Sequence, residues 1–453
     1  MTAIVPVPEY PTGVSASELL AELHAHWPPP AGTARADYTE EALFATAPVA
    51  VLDLGSTGAR RHAVAVAAGP DGLRTVPLTA PTGGPWRRAA AGDGAASALV
   101  HRVSTAPGPS GGFTLHPGRP TGLAGAESGE RAVATDQTNE SVIVAERSVV
   151  KWVRRPSSGD QPAMRLPAHL DAVGFAGIPA VQGFLTWRPP GAEVVLLAGI
   201  DAYLPGASDG WEWCVDALLG QLRDGQPATF AGQLGTLAAD LHGALATAST
   251  VVPRPVAAVG VAAVRRWHTA ARHSLDRALE LTAGTGSGRL HAMADTLGHV
   301  LDELTAVRTA TVQPVHGDLH VGQILRWRDG LAVIDFEGNP TPGITGSGVA
   351  QPAARDLAQL LCSVGHVGRV ADRRTGGEHL VEIEQWIVSS RSALLDAYRS
   401  RLGRLGRGDL LDHQLLAPFV VEQQCRELIY AATCLPRWSY APLAELHAAF
   451  DDS

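Results

Sequence analysis

Residues 313–338 read QPVHGDLHVGQILRWRDGLAVIDFEG and interrupt a long helical part of the chain with strand-like sequence. Asp318 and Asp335 each follow a short apolar run, and Gly330 predicts a turn between two strand-like pieces, QILRW and LAVIDF. A β-hairpin brings the ends of its strands together, so we expect Asp318, Gln323 and Asp335 within reach of one site. Phosphoryl transfer from a nucleotide uses such a set: one carboxylate deprotonates the attacking hydroxyl, while another carboxylate and an amide oxygen hold Mg²⁺.

The spacing of these residues matches the catalytic and metal-binding segments of protein-kinase-like folds. There, H-x-D-x-x-x-x-N is followed about 15–20 residues later by an aspartate at the end of an apolar strand. His316, Asp318 and Gln323 match the first segment, and Asp335 ends the second. Gln323 stands where Asn is usual, which lengthens the ligand by one methylene but keeps the amide oxygen. Either turn alone is equally well a polar loop, but both at this separation favour the site.

A cation for the nucleotide phosphates is expected upstream, on a strand. Lys151 lies in the strand-like run SVVKWVRR (148–155), where alternation directs its side chain opposite to that of Val150. It is also the one lysine among 36 Lys and Arg residues, and a compact ammonium fits between phosphates where a broad guanidinium does not. The other interpretation of Lys151 is a solvated strand residue, the commonest position of a lysine.

The segment that precedes Lys151, DQTNESVIVAE (136–146), contains a polar turn with Thr138, Asn139 and Ser141. Backbone N–H groups of such a turn bind phosphates, so we expect the turn to lie over the nucleotide. The segment has no GxGxxG pattern, so it is not a glycine-rich loop.

Periodicity divides the chain into three parts and predicts an α+β fold. A small N-terminal cap (1–110) has a helix at 17–27 and an antiparallel sheet. A sheet-rich lobe (111–200) follows, and then a larger, mainly helical lobe (201–453). Its long helical segments are predicted at 229–250, 255–282, 286–308, 353–368, 378–402 and 408–434.

Charge and hydropathy exclude other classes of protein. The net charge is −9 and no polybasic segment occurs, which argues against nucleic-acid binding. No apolar run reaches the roughly 18–20 residues that span a bilayer, and the first residues lack the features of a signal peptide. We therefore expect a cytoplasmic protein without a membrane partner.

Five segments resemble actinobacterial maltokinases and the related glucosamine kinases, which belong to the aminoglycoside-phosphotransferase-like branch of the kinase fold. The segments are YLPGASDGWEW (203–213), LGTLAADLHGAL (234–245), HGDLHVGQ (316–323), VIDFEG (333–338) and RDLAQLL (355–361). The resemblance implies a two-lobed kinase with an N-terminal cap, with ATP as donor, Mg²⁺ as cofactor and a sugar hydroxyl as acceptor.

The resemblance also implies roles for matching residues. They are Asp318 as the base; Gln323 and Asp335 as metal ligands, with Glu337 as a further contact; Lys151 on the phosphates; and Ala198, Ile200 and Asp201, within segment 196–203, beside adenine. In such kinases the phosphate lysine usually pairs with a Glu on the next helix. The segment 159–175 contains no Glu, only Asp160 and Asp171, which puts that ion pair in doubt.

The C-terminal helix distinguishes between sugars. Maltokinases have a helix resembling Y-E-x-x-Y-E-A-R-N-R-P-x-W, and this chain has RELIYAATCLPRW (426–438). The matching residues are Glu427, Tyr430, Pro436 and Trp438. Residues 431–435 lack the second Glu and the Arg-Asn-Arg run, so a disaccharide would lose several polar contacts. EQQCRELIY (422–430) with RWSY (437–440) instead resembles the glucosamine kinases.

The chemistry of an aminosugar fits this helix. We expect Glu427 to pair with the ammonium group at C2 and Trp438 to stack on a pyranose face. Further sugar contacts are assigned to His320, Gln423 and Gln424. In the alternative interpretation, helix 414–434 turns its apolar residues to a core, Glu422 or Arg426 is solvated, and Trp438 only packs.

The leading hypothesis is therefore an ATP- and Mg²⁺-dependent kinase for D-glucosamine, acting at the 6-hydroxyl. One alternative is a maltokinase that forms maltose 1-phosphate. Another is an aminoglycoside phosphotransferase, which predicts a markedly acidic C-terminal lobe. A pseudokinase that binds without transfer is disfavoured because Asp318, Gln323 and Asp335 are all chemically competent.

Overall fold

The computed structural model describes residues 15–27, 45–120, 122, 129–133, 139–283, 288–328, 330–338 and 350–450. The chain divides into two compact units. One consists of residues up to Met164 together with Pro179–Pro205, and the other of Arg165–Ile178 and the chain from Gly206 onward. The three-part division at residues 110 and 200 stays a prediction.

The first unit contains two sheets in which every pairing between described strands is antiparallel. Its elements are α1 (Ala16–Ala25), β1 (Ala47–Thr57), β2 (Arg60–Gly69), β3 (Gly72–Pro81), β4 (Arg87–Arg88), α2 (Ala95–Thr105), β5 (Gly108–Ser110), β6 (Phe113–Pro117), β7 (Glu130–Ala132), β8 (Glu140–Val144), β9 (Ser148–Trp152), β10 (Val181–Trp187) and β11 (Val195–Ala202). The strand orders are β1-β2-β3-β4 and β5-β6-β10-β11-β9-β8-β7.

The nearly continuous apolar run of β2 is explained by the burial of both its faces. Ala63 and Ala65 lie in a core with Leu23 of α1. Val64, on the other face, lies in a second core with Leu99 of α2. That second core continues through the seven-stranded sheet, so α2 packs against both sheets.

The second unit is mainly helical around one large core. Its elements, with the helix α3 that leads into it, are α3 (Pro162–Ala172), α4 (Gly210–Asp224), α5 (Ala231–Leu245), β12 (Ala257–Gly260), α6 (Val261–Thr282), α7 (Gly288–Ala292), α8 (Ala294–Asp302), β13 (Thr309–Val312), β14 (Ile324–Trp327), β15 (Gly330–Val333), α9 (Ala354–Arg374), α10 (Leu380–Arg404), α11 (Leu416–Cys434) and α12 (Tyr440–Phe450). Among the described residues, no helix has the length and apolar character needed to cross a membrane.

Several predicted helical segments differ from the structure, including those predicted at 229–250 and 353–368, whose helices end at Leu245 and Arg374. The helix expected from 255 begins at Val261, because the residues before it pair with β13 as strand β12. The segment 286–308 splits into α7 and α8, which are followed by a 3₁₀ turn. The helix expected from 408 begins at Leu416, after two 3₁₀ turns.

Candidate active site

A buried carboxylate, Asp356 of α9, holds the backbone of the loop that carries the predicted base. Its oxygens accept hydrogen bonds from the N–H groups of His316 (2.7 Å) and Gly317 (2.9 Å) and from Nε2 of His242 (3.2 Å). Burial would raise the pKa of Asp356, but the hydrogen bond and positive potential of His242 keep that pKa below its usual value. The Asp356 charge is thus stabilised inside the protein, and it anchors the loop.

The His316 ring connects this loop to the predicted metal segment. Its Nδ1 accepts from the N–H of Asp318 (3.2 Å), so Nε2 carries the proton and donates to the carbonyl oxygen of Ile334 (2.9 Å). The ring also packs against Phe336, with ring centroids 4.7 Å apart. His316 therefore couples the position of Asp318 to that of the segment containing Asp335.

Two polar side chains, Gln359 and His320, lie beside the Asp318 carboxylate. Its Oδ1 accepts from Nε2 of Gln359 at 2.6 Å. Its Oδ2 lies 3.8 Å from Nε2 of His320, whose Nδ1 accepts from the N–H of Gly322 (3.0 Å). His320 consequently directs an N–H toward Asp318. The sequence prediction missed Gln359, although it lies three residues after Asp356 on the same helix, a spacing that places both on one face.

The β14–β15 hairpin forms as predicted and brings two of the predicted metal ligands together. Ile324 pairs with Val333, and the N–H of Ile334 donates to the carbonyl oxygen of Gln323 at 2.9 Å. Gln323 and Asp335 therefore flank the same end of the hairpin. Asp335 has a left-handed backbone (φ +70°), a strained conformation that is concentrated at functional sites.

The oxygen donors of this hairpin fit a hard divalent cation that keeps part of its water shell. Gln323 offers an amide oxygen and Asp335 a carboxylate, with the partly buried Glu337 two residues further on. Within the described ranges, no cluster of three or more His, Cys, Asp or Glu side chains has metal-binding geometry. Mg²⁺ is commonly held by one or two carboxylates together with waters and substrate phosphates, so it fits a set this small.

Lys151 lies on β9 of the first unit, between β8 and β11. Val150 belongs to the core, while Lys151 lies on the opposite face and is partly exposed, as alternation predicted. Its neighbours across the sheet are Ser141 on β8 and Gly199 on β11. Gly199 has no side chain, and a Cβ atom at that position would lie 4.0 Å from Cδ1 of Phe184.

Asp201 lies on the same face of β11, two residues beyond Gly199. Burial raises the pKa of Asp201 to about 6, and the ammonium of Lys151 opposes that rise. A carboxylate that interacts with Lys151 therefore lies on the neighbouring strand, although the resemblance suggested one on the next helix. Asp201 was predicted to lie beside adenine, and its interaction with Lys151 was not predicted.

The other residues predicted to contact the nucleotide have buried side chains or lie outside the described residues. Ala198 and Ile200 have buried side chains on β11, an interior strand, so only their backbone could face a ligand. Asn139 is buried and its Oδ1 accepts from the N–H of Arg154 at 3.3 Å. Ser141 is also buried, and Thr138 lies outside the described residues. These assignments stay predictions.

Two of the predicted sugar residues, Gln423 and Glu427, lie on α11 close to Glu422 and Arg426, and these four residues are called here the α11 polar face. Nε2 of Gln423 donates to Oε1 of Glu427 at 3.0 Å, and Glu422 accepts from Nη1 of Arg355 at 3.0 Å. Glu422 and Arg426 are only 3% and 8% exposed. The interpretation of these two residues as solvated is therefore wrong, because both side chains are buried in the folded protein.

An aromatic cluster surrounds Trp438, which is partly buried in a short 3₁₀ turn. Its ring makes edge-on contacts with Trp211 (5.7 Å between centroids) and with His366 (5.5 Å). Trp211 in turn lies against His320 at 5.9 Å, which extends the cluster to the neighbourhood of Asp318. A Cβ atom at Gly322 would lie 2.5 Å from Nε1 of Trp211, so glycine permits this packing.

His366 and Trp211 were missed by the sequence prediction, although Trp211 lies within a segment quoted above. Nε2 of His366 lies 3.2 Å from Oε1 of Gln424, so the buried Gln424 is held from α9. Behind His366, Glu445 of α12 accepts from Nε of Arg369 at 2.7 Å and from Arg391. This buried ion network holds α12 against α9 and α10.

Known proteins are similar in sequence to most of this chain. No family model matches the chain. A glucosamine kinase of Streptacidiphilus jiangxiensis is 42% identical over 405 residues, 87% of this chain and 89% of the relative. A glucosamine kinase of Mycolicibacterium smegmatis (strain ATCC 700084 / mc(2)155) is 35% identical over 412 residues, 88% of this chain and 98% of the relative.

A solved structure of a glucosamine kinase in complex with glucosamine, ADP and inorganic phosphate superposes with a TM-score of 0.75. It is 39% identical in sequence, and the match covers 89% of this chain and 93% of that chain. A second crystal form of a glucosamine kinase gives a TM-score of 0.78 at 38% identity, covering 94% and 97% of the two chains. The predicted α+β kinase fold is confirmed by this likeness.

Proposed function

Because the chain belongs to the glucosamine kinase family, we propose that it transfers the γ-phosphoryl group of ATP to D-glucosamine. The observation that carries the choice of sugar is the charge around Asp318 and the α11 polar face. Arg426 interacts electrostatically with Asp318, Glu422, Glu427 and Arg355. Three carboxylates and two guanidinium groups leave one formal negative charge, which an aminosugar ammonium would neutralise and a neutral sugar would not.

Asp318 orients the acceptor hydroxyl, for which we propose the 6-hydroxyl of glucosamine. The hydroxyl oxygen attacks the γ-phosphorus and a new O–P bond forms as the bond to the ADP oxygen breaks. The hydroxyl proton passes to the Asp318 carboxylate. The hydrogen bond from Gln359 keeps that carboxylate in one orientation without supplying a positive charge that would weaken it as a base.

Gln323 and Asp335, with Glu337 as a further contact, would hold Mg²⁺, which neutralises phosphate charge when bound. The left-handed backbone of Asp335 and the hydrogen bond from His316 to the neighbouring Ile334 support this assignment, because they fix the backbone that carries the carboxylate.

Lys151 binds the phosphates of ATP and Asp201 positions its ammonium. Segment 196–203, including Ala198 and Ile200, lies beside adenine, and the turn with Thr138, Asn139 and Ser141 contacts phosphates through its backbone. The partial exposure of Lys151, on the face of the sheet opposite the core, supports a lysine that reaches a ligand.

The aminosugar is recognised by the second unit. Glu427, oriented by Gln423, binds the ammonium group, and Trp438 stacks on the pyranose ring. His320 and Gln424 complete the sugar contacts. The hydrogen bond between Gln423 and Glu427 supports a carboxylate that is held ready for a cation.

We further propose that residues 1–110 form a cap, 111–200 the nucleotide lobe and 201–453 the catalytic lobe. We also propose that the enzyme acts in the cytoplasm, where ATP is available, and that it has no nucleic-acid partner, in keeping with its net charge of −9.

A coupled assay of ADP release tests the proposal with glucosamine, glucose, N-acetylglucosamine, maltose and kanamycin. We expect the highest kcat/KM with glucosamine and a much lower value with N-acetylglucosamine, which has the same ring but no ammonium charge. Maltose as the best substrate would indicate a maltokinase, and kanamycin an aminoglycoside phosphotransferase. Either result would refute the choice of sugar.

A further inference from the structure

Arg426 of α11 is a buried cation without a hydrogen-bonded partner in the part of the chain that the structure describes. The residue is 8% exposed, and its Nε has no acceptor there. The buried Arg369 on α9 shows the usual arrangement, since it donates to both Glu384 and Glu445. An unpaired buried guanidinium is costly, so it indicates a group that binds there during function.

Each carboxylate around Arg426 already accepts from another donor. Glu422 accepts from Arg355 (3.0 Å), Glu427 from Gln423 (3.0 Å) and Asp318 from Gln359 (2.6 Å). The guanidinium is therefore surrounded by negative potential but makes none of these bonds itself. Its N–H groups remain available for a ligand.

The chemistry of that ligand follows from its neighbours. A guanidinium repels an ammonium group, so Arg426 cannot be the contact for the charged end of an aminosugar. It binds phosphate oxygens well, because its planar array of donors matches them. Asp318, with which Arg426 interacts, is the residue beside which phosphate arrives during transfer.

We propose that Arg426 binds the phosphoryl group as it reaches the sugar and then the phosphate of the sugar phosphate product. This inference rests on the proposed kinase function and identifies a further catalytic residue for it. Near Asp318 and Glu427, a phosphoryl group meets two negative charges, and Arg426 offsets that repulsion. The net negative charge that favours the ammonium of the substrate would otherwise oppose its phosphorylation.

Arg426→Gln tests the inference. We expect kcat to fall about 10²-fold, as for the loss of a donor to developing charge. The Ki of glucosamine 6-phosphate as product inhibitor should rise about tenfold or more, as for a lost charged hydrogen bond, with KM values for glucosamine and ATP within about threefold. Arg426→Lys should recover part of kcat. Inorganic phosphate should compete with glucosamine 6-phosphate for the same site, and its affinity should fall by a similar factor in Arg426→Gln.

Arg223→Gln is the matched control, because Arg223 is exposed and pairs with the exposed Asp224. It should leave all of these constants unchanged. Thermal unfolding measures any loss of stability in Arg426→Gln separately, and a stability effect alone would not change the Ki of glucosamine 6-phosphate relative to the KM of glucosamine.

An unchanged Ki for glucosamine 6-phosphate would overturn the inference. So would an equal loss of affinity for glucosamine, because Arg426 would then hold the sugar rather than the phosphate. If the wild-type enzyme prefers another sugar, the phosphate of that sugar replaces glucosamine 6-phosphate in the assay. A wrong sugar assignment and a wrong role for Arg426 thus give different results.

Discussion

The loop that carries Asp318 and the α11 polar face lie in the same unit but satisfy their polar groups in different ways. Around Asp318, the buried Asp356 and the His316 ring fix the backbone, and the neutral Gln359 fixes the carboxylate. On the α11 polar face, Arg426 has no such bond within the described residues. The first region is organised before substrate arrives, whereas the second keeps binding capacity for it. We relate the first to chemistry common to kinases and the second to the choice of sugar.

The largest effect is expected from Asp318→Asn, which keeps the size of the side chain but removes the base. We expect kcat to fall about 10³-fold for every sugar that the enzyme accepts. ATP binding, measured by titration calorimetry, should change little, because the substitution is confined to the loop anchored by Asp356. Turnover close to the wild-type rate would show that Asp318 is not the base.

The second effect should be confined to the sugar. Glu427→Gln removes the carboxylate assigned to the ammonium, and we expect KM for glucosamine to rise about tenfold or more. KM for glucose, which has no ammonium, should stay within about threefold, and so should kcat. Equal losses for both sugars would mean that the α11 polar face does not distinguish them by charge.

A smaller effect is expected at His366, which holds Gln424 and contacts Trp438 without belonging to the α11 polar face. His366→Leu leaves the amide oxygen of Gln424 without this partner, and KM for glucosamine should rise about fivefold. His366→Gln keeps a donor at a similar distance and should restore most of the affinity. KM for ATP serves as the internal control, because a general loss of packing would alter it as well.

The smallest effect concerns pH. Burial lowers the pKa of His366, against the opposing influence of Glu427 and Glu445. The folded protein therefore binds this proton more weakly than the unfolded chain, and stability falls as pH drops through the ordinary histidine value toward the lowered pKa. The Tm difference between about pH 7.5 and about pH 5.5 should be smaller in His366→Gln than in the wild type. An unchanged difference would assign the acid sensitivity to other groups.

Much of the fold and of the Asp318 region could be predicted because the relevant signals are local. The β14–β15 hairpin follows from two apolar runs around Gly330, and its short length sets the separation of Gln323 and Asp335. The direction of Lys151 follows from alternation along one strand. The wrong helix starts at 255 and 408 have the opposite origin. Ala257–Gly260 is helix-compatible by composition but pairs with Thr309–Val312, which lies about fifty residues further along the chain.

The amino-acid sequence by itself determined the identity and order of the groups for phosphoryl transfer, since spacing of a few residues is enough to place them on one turn or hairpin. Only the tertiary structure decided how those groups are partnered. Periodicity along α11 cannot show that Arg355 covers Glu422 or that Gln359 reaches Asp318, because both partners come from α9. The same packing buries Arg426, while the neighbouring carboxylates Glu422 and Asp318 accept hydrogen bonds from α9 side chains. The free energy of a buried charge depends on such neighbours, and they are distant in the sequence.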